Sequence, residues 1–220
     1  MPHNPLQAFH EVPEESNWRE LCEVWSEHLQ ELWDHLEHGE APWAWSERTN
    51  VGLLASAMVV AGGFAMTELP IRDEAAGSPR GRFDLWLGKK TGGETWSVHA
   101  EAKNQWAPGL TALQVDKSLN ALDRASRQTP RLHRKAWVNR VASLVFVVPN
   151  LSAQDSVTAI PRRMTAFASE LWHRAGSHPG SFIFEHRPPL AQLSHPFWSA
   201  QGRQRYYPGV ILLGRVHKSE

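Results

Sequence analysis

The chain is poor in cysteine, in tyrosine and in net charge. Its 220 residues include one cysteine, Cys22. A single cysteine forms no internal disulfide and cannot build a cysteine-based zinc site. It suits a reducing compartment, so a cytoplasmic setting is expected. The longest nearly apolar run, Val51 to Met66, has 16 residues and is interrupted by glycines. A membrane span takes ~18 or more, so no membrane partner is expected. The start, Met1-Pro2-His3-Asn4, lacks the basic and then apolar pattern of a secretory signal. Internal repeats and low-complexity tracts are also missing. The formal net charge is zero, which at first argues against a nucleic-acid partner.

Several features stand against these absences. Apolar residues make up 41% of the chain and charged residues 21%, a balance that builds a globular core rather than a disordered chain. The neutral total conceals a split. Residues 1–47 hold eleven of the 23 acidic residues and one of the 23 basic ones. The rest of the chain is therefore basic. This asymmetry divides the chain into an acidic N-terminal helical appendage over 1–43 and a body over 44–220. The appendage also offers a docking surface for a protein partner.

Periodicity places the elements. Trp18, Leu21, Trp25, Leu29, Leu32 and Leu36 recur at helical spacing, predicting a helix over 16–38 that Gly39 stops. Ser46 is a good N-cap for a second helix running to Gly62-Gly63. Residues 64–71 read as a strand. Two alternating strands follow, over 82–87 and 96–103, separated by a polar turn at 88–94. A helix is expected over 110–125, with Leu113, Leu119, Leu122 and Ala125 inward. Val141 to Val148 reads as a central strand buried on both faces. A helix within 155–174 and strands over 181–184 and 210–216 complete an α/β mixture, with a central mixed sheet flanked by helices.

The chemistry concentrates in the two alternating strands. One contains Asp84; the other ends Glu101-Ala102-Lys103. Side chains in a strand alternate, so Ser97, His99, Glu101 and Lys103 share one face, and Trp96, Val98, Ala100 and Ala102 the other. Paired as a hairpin, the strands bring Asp84 beside Glu101. Two adjacent carboxylates repel unless a cation lies between them. Hard oxygens suit Mg²⁺, with Mn²⁺ as a substitute. Lys103 projects from the face of Glu101, where it can act on a water or on phosphate charge.

With Asp84 followed by Glu101-Ala102-Lys103, the sequence resembles the PD-(D/E)XK nuclease superfamily, the restriction-endonuclease-like fold, over about residues 44–150. Phe83 stands where the family name has proline. The resemblance implies an αβββαβ core and a Mg²⁺-dependent nuclease acting on DNA. It implies Asp84, Glu101 and the Ala102 carbonyl as metal ligands. A further glutamate on the preceding helix would be Glu47, which lies above Val51, Leu54 and Met58 at helical spacing. Glu68 is a weaker candidate of the same kind. Gln114 and His99 are candidates to approach substrate. Two-strand cutting would call for a homodimer. The basic cluster, with Arg127, Arg131, Arg134 and Lys135, fits a phosphate backbone, and Trp106 fits a base. A competing expectation is a catalytically inactive fold of this kind that binds nucleic acid or protein.

Overall fold

The computed structural model describes residues 6–11, 16–72, 79–128, 140–193, 196–198 and 202–218. In chain order the elements are β1 (Leu6–Glu11), α1 (Ser16–His35), α2 (Glu47–Val60), β2 (Phe64–Arg72), β3 (Pro79–Thr91) and β4 (Glu94–Pro108). There follow α3 (Ala112–Gln128), β5 (Arg140–Ser152), α4 (Ile160–Ala175), β6 (Ser181–Arg187), β7 (Phe197–Trp198), β8 (Gln204–Tyr206) and β9 (Val210–Lys218). The result is an α/β fold with a mixed sheet and, among the described residues, four α-helices. No described helix is long and apolar enough to cross a membrane.

Strand β5 shows why the layers form. Its strongly apolar run, interrupted by Ser143, is buried from Val141 to Pro149, so both faces must be covered. Ala142, Leu144, Phe146 and Val148 face one core with α1 and α2. Val145, Val147 and Leu151 face a second core with α3 and α4. The sheet order is β1-β6-β9-β5-β4-β3-β2, with the β7–β8 hairpin attached to the end of β5. The β4–β5 pair is parallel, bridged by α3, and every other pairing is antiparallel.

The acidic helix is not an appendage to this body. Helix α1 contributes Trp18, Leu21, Cys22, Trp25, Leu29 and Trp33 to the core it shares with β3, β4 and β5. A fully buried tryptophan is worth about 3–5 kcal/mol against alanine, so the helix is part of the core rather than an attachment to it. Ser26 Oγ bonds His186 Nδ1 at 2.8 Å, and Trp33 Nε1 donates to Gln192 at 3.0 Å. Lys89 pairs with Glu20 at 2.6 Å. Glu23, Glu27, Glu31 and Asp34 remain exposed. The apolar stripe also turns away from its expected line. Trp33 is fully buried, while Leu32 and Leu36 are half-buried.

Other departures are local. In α3, Leu113 is exposed and Gln114 buried. The stripe there runs through Val115, Ala121, Leu122 and Ala125, with small Ser118 between. The polar turn expected at 88–94 tightens to Gly92 and Gly93, because both strands continue to meet it. Strand β1 and the β7–β8 hairpin have no counterpart among the expected elements.

Candidate metal centre

The glycines of the β3–β4 turn set the site. Gly92 and Gly93 both take positive φ, 58° and 92°, which the tight two-residue hairpin turns require. From there the register runs from Thr91 opposite Glu94 to Leu85 opposite Ala100. Continued one step further, that register would set Asp84 across from Glu101.

At that step the strands part. Strand β3 stays with β2, pairing Phe83 with Leu69 and Arg82 with Pro70. Strand β4 stays with β5 as far as Pro108. Phe83 leaves the cluster of Leu85 and Leu87 and packs instead with Val141 and Leu69, so the backbone of β3 turns at Asp84. Main-chain groups of β4 on the parted side have lost their strand partner, and buried ones must find another. Side chains supply it. Ala102 N donates to Asp84 Oδ2 at 2.8 Å, and Asn104 N donates to Glu47 Oε2 at 2.9 Å. The Ala102 carbonyl accepts from Lys103 Nζ at 2.7 Å.

Glu47 reaches this gap because it opens α2. Ser46 caps the helix, accepting from Thr49 N at 3.1 Å. A first-turn glutamate is favoured by the helix dipole, and this one points at β4. Asn50, one turn on, donates to the Trp43 carbonyl at 3.0 Å and to Asn104 Oδ1 at 3.3 Å. These bonds tie the start of α2 to β4.

The Lys103 ammonium gathers the oxygens. It lies 2.7 Å from Glu101 Oε1, 2.7 Å from the Ala102 carbonyl and 3.8 Å from Asp84 Oδ2. Burial pushes the Glu101 carboxyl above its ordinary range; Lys103 opposes that rise, and the charges of Asp84 and Glu47 add to it. Three oxygens thus converge on one positive charge, and two of them belong to carboxylates that crowd each other. Among the described residues no group of three or more His, Cys, Asp or Glu side chains is spaced to hold a metal ion. The converging set is two carboxylates and a main-chain carbonyl. That hard, sparse set fits Mg²⁺, which keeps several waters and binds through one or two carboxylates.

No known family model, curated protein or solved structure matches the chain. The site's reading therefore rests on its geometry.

A cleft of about 290 Å³ opens beside Asp84, lined by Glu47, Arg48, Val51, Thr67 and Glu68 among others. Glu68 takes φ of 56°, a conformation uncommon outside glycine. Arg82 and Arg48 hold it at 2.6 and 3.3 Å and keep its carboxyl below the ordinary range, the Arg82 hydrogen bond most of all. Glu68 is thus engaged with arginines rather than with the converging oxygens. Arg48 and Arg82 are both well exposed. They are rim cations that the strand pattern alone did not single out, although Arg48 adjoins Glu47.

The remaining candidates scatter. His99 is buried between the rings of Phe83 and Trp86, a packing position rather than a substrate contact. Gln114 is also buried. Arg127 is exposed at the end of α3. Arg131, Arg134 and Lys135 lie outside the described residues. Trp106 is partly exposed three residues beyond Lys103 and meets Tyr207 edge-on at 6.0 Å.

Proposed function

We propose that this chain is a Mg²⁺-dependent nuclease, with a restriction-endonuclease-like core, that hydrolyses phosphodiester bonds in DNA. The observation that carries the proposal is the meeting of Asp84, Glu101, the Ala102 carbonyl and Lys103 where β3 and β4 part. The order α2-β2-β3-β4-α3-β5 agrees with an αβββαβ core.

In this reading Asp84 and Glu101 would hold the cation with the Ala102 carbonyl, and the charge of Glu47, which already acts on Glu101, would act on it too. A bound divalent cation supplies Lewis acidity toward a phosphoryl oxygen and makes a neighbouring water easier to deprotonate. Asp84 and Glu47 also fix the site, because each is anchored through one oxygen to the β4 main chain. Lys103 stands where a phosphate would approach. It can shift from the carboxylates to the phosphate oxygens or orient the attacking water, roles worth roughly 10²–10⁴ in rate for a positioned proton-transfer group. Arg48 and Arg82 at the rim add positive charge for the DNA backbone.

The test is cleavage of supercoiled, linear duplex and single-stranded DNA, with Mg²⁺, with Mn²⁺ and with chelator. Cleavage by the native chain that depends on metal and disappears in Asp84→Ala and in Lys103→Ala is the expected result. Cleavage that survives in both variants, or that ignores chelator, overturns the assignment.

A further inference from the structure

A second cavity is built partly on elements that also carry the candidate centre. It is a groove of about 980 Å³, at the upper end of small-ligand sites and larger than one small ligand needs. Its walls grow out of the elements that carry the site. Trp45 stands two residues before Glu47. Trp106 stands three residues past Lys103, about 10 Å along the strand at ~3.3 Å per residue and, by strand alternation, on the opposite face, where it meets Tyr207. The β7–β8 hairpin closes it with Phe197, Trp198 and Arg205, and Tyr207 follows directly.

Its aromatic surface is bare. Trp198 is 71% exposed, Trp45 48% and Trp106 38%. Of the other described tryptophans, Trp18, Trp25, Trp33 and Trp43 are fully buried, Trp96 is buried, and Trp86 and Trp172 are half-buried. The rings are backed firmly. Phe197 packs on Trp33 and Tyr207 at 5.7 and 6.0 Å, and Tyr207 on Trp106. The charged lining is one arginine and one glutamate, Arg205 and Glu40, so phosphate attraction alone does not define this surface. Arg205 lies near the Tyr207 ring and partly offsets the rise that burial imposes on the phenol. Asn150 also lines the groove, and its Oδ1 is buried without a hydrogen-bond partner, an acceptor that a ligand N–H would satisfy.

We propose that this groove binds the unstacked bases of single-stranded nucleic acid. Every base has a flat face, and bases stack on exposed tryptophan without regard to sequence. In a duplex the faces are covered by neighbouring base pairs. Trp45, Trp106 and Trp198 therefore select strands whose bases are free: single strands, frayed ends or flaps. As a subsite for a substrate, the groove rests on the nuclease reading of Asp84, Glu101 and Lys103.

The test is equilibrium binding by fluorescence anisotropy, with the full chain in chelator so that nothing is cleaved. The probes are a labelled oligothymidylate, a strand of equal length made of abasic deoxyribose phosphates, and a duplex. Oligothymidylate should bind at least about tenfold more tightly than the abasic strand, and more tightly than the duplex. Trp106→Ala with Trp198→Ala should remove that preference. Unchanged circular dichroism would show that the fold persists. Equal binding of the thymidylate and abasic strands, preference for the duplex, or a preference intact in the double variant overturns the proposal. The two readings fail separately. Metal-dependent cleavage without base discrimination sinks the groove and keeps the nuclease. Base discrimination without cleavage in any metal sinks the nuclease and keeps the groove as a base-binding site.

Discussion

Asp84 has two roles in this structure, and a pair of substitutions separates them. Its carboxylate carries charge toward Lys103 and Glu101, and its Oδ2 accepts the Ala102 N–H at 2.8 Å. Asp84→Asn removes the charge but keeps an oxygen that can accept. Asp84→Ala removes both. Ala102 is fully buried, so its N–H has no ready water in exchange. A buried donor left unpaired costs about 1–3 kcal/mol. For a chain of this size each kcal/mol lowers the melting temperature by roughly 2–4 °C. Asp84→Ala should therefore melt roughly 2–12 °C below Asp84→Asn. Relief of repulsion with Glu101 is common to both variants, so it cancels in their difference. Scanning fluorimetry in chelator measures the gap, and a fluorogenic DNA substrate measures cleavage. Both variants should lose activity by at least about a hundredfold. Identical melting of the two would show that Asp84 does not hold the strand. Native cleavage by Asp84→Asn would show that its charge does not serve the reaction.

Two further outcomes follow from the same cluster. The Glu101 carboxyl is held above its ordinary range. Without metal, its contribution to stability is full below the unfolded-state value and is lost as pH rises through the folded-state one. A cation needs the ionised form, so Mg²⁺ should raise the melting temperature at neutral pH. That gain should fade on acidification at a pH above the usual glutamate value. Melting curves with and without Mg²⁺ across about pH 4–8 test this, and a Mg²⁺ response unchanged to the acid end refutes it. Lys103→Met should lower cleavage by roughly 10²–10⁴ yet keep or strengthen Mg²⁺ stabilisation, because the ammonium competes for the same oxygens. Loss of the Mg²⁺ response in that variant would make Lys103 an organiser of the fold instead.

Much of the cluster was legible in residue order because its logic is local. Period two alone puts Glu101 and Lys103 on one face. A hairpin turn puts Asp84 opposite. Ser46 announces the start of α2 and so the position of Glu47. The two-sided burial of β5 follows from an apolar run too long to leave either face wet. What stayed hidden is non-local. The parting of β3 from β4 depends on β2 and β5 pulling from opposite sides, and no single strand records it. Trp33 rather than Leu32 enters the core because Trp43 and Gln192 meet it there. The charge of α1 suggested a detached segment, although the same helix carries enough apolar surface on its other side to be a wall of the core. The β7–β8 hairpin is too short, at two and three residues, to leave a period. With it the aromatic groove also went unseen, since its rings come from four separate stretches of chain.

The turn at Gly92 and Gly93 acts as a ruler. It counts the residues between Asp84 and Glu101, and the pleat gives that count a parity. Lengthening the turn by one residue would carry Asp84 past its place opposite Glu101 and bring the other face of β3 forward, with Leu85 meeting Glu101 instead. Lengthening it by two, shared equally between the arms, would leave the pairing intact and only move the tip outward. Chains descended from this one should therefore vary freely in the tip of that hairpin while keeping the parity of its length. A descendant that broke the parity would have to absorb the extra residue in a wider loop or a bulge, or else lose the centre.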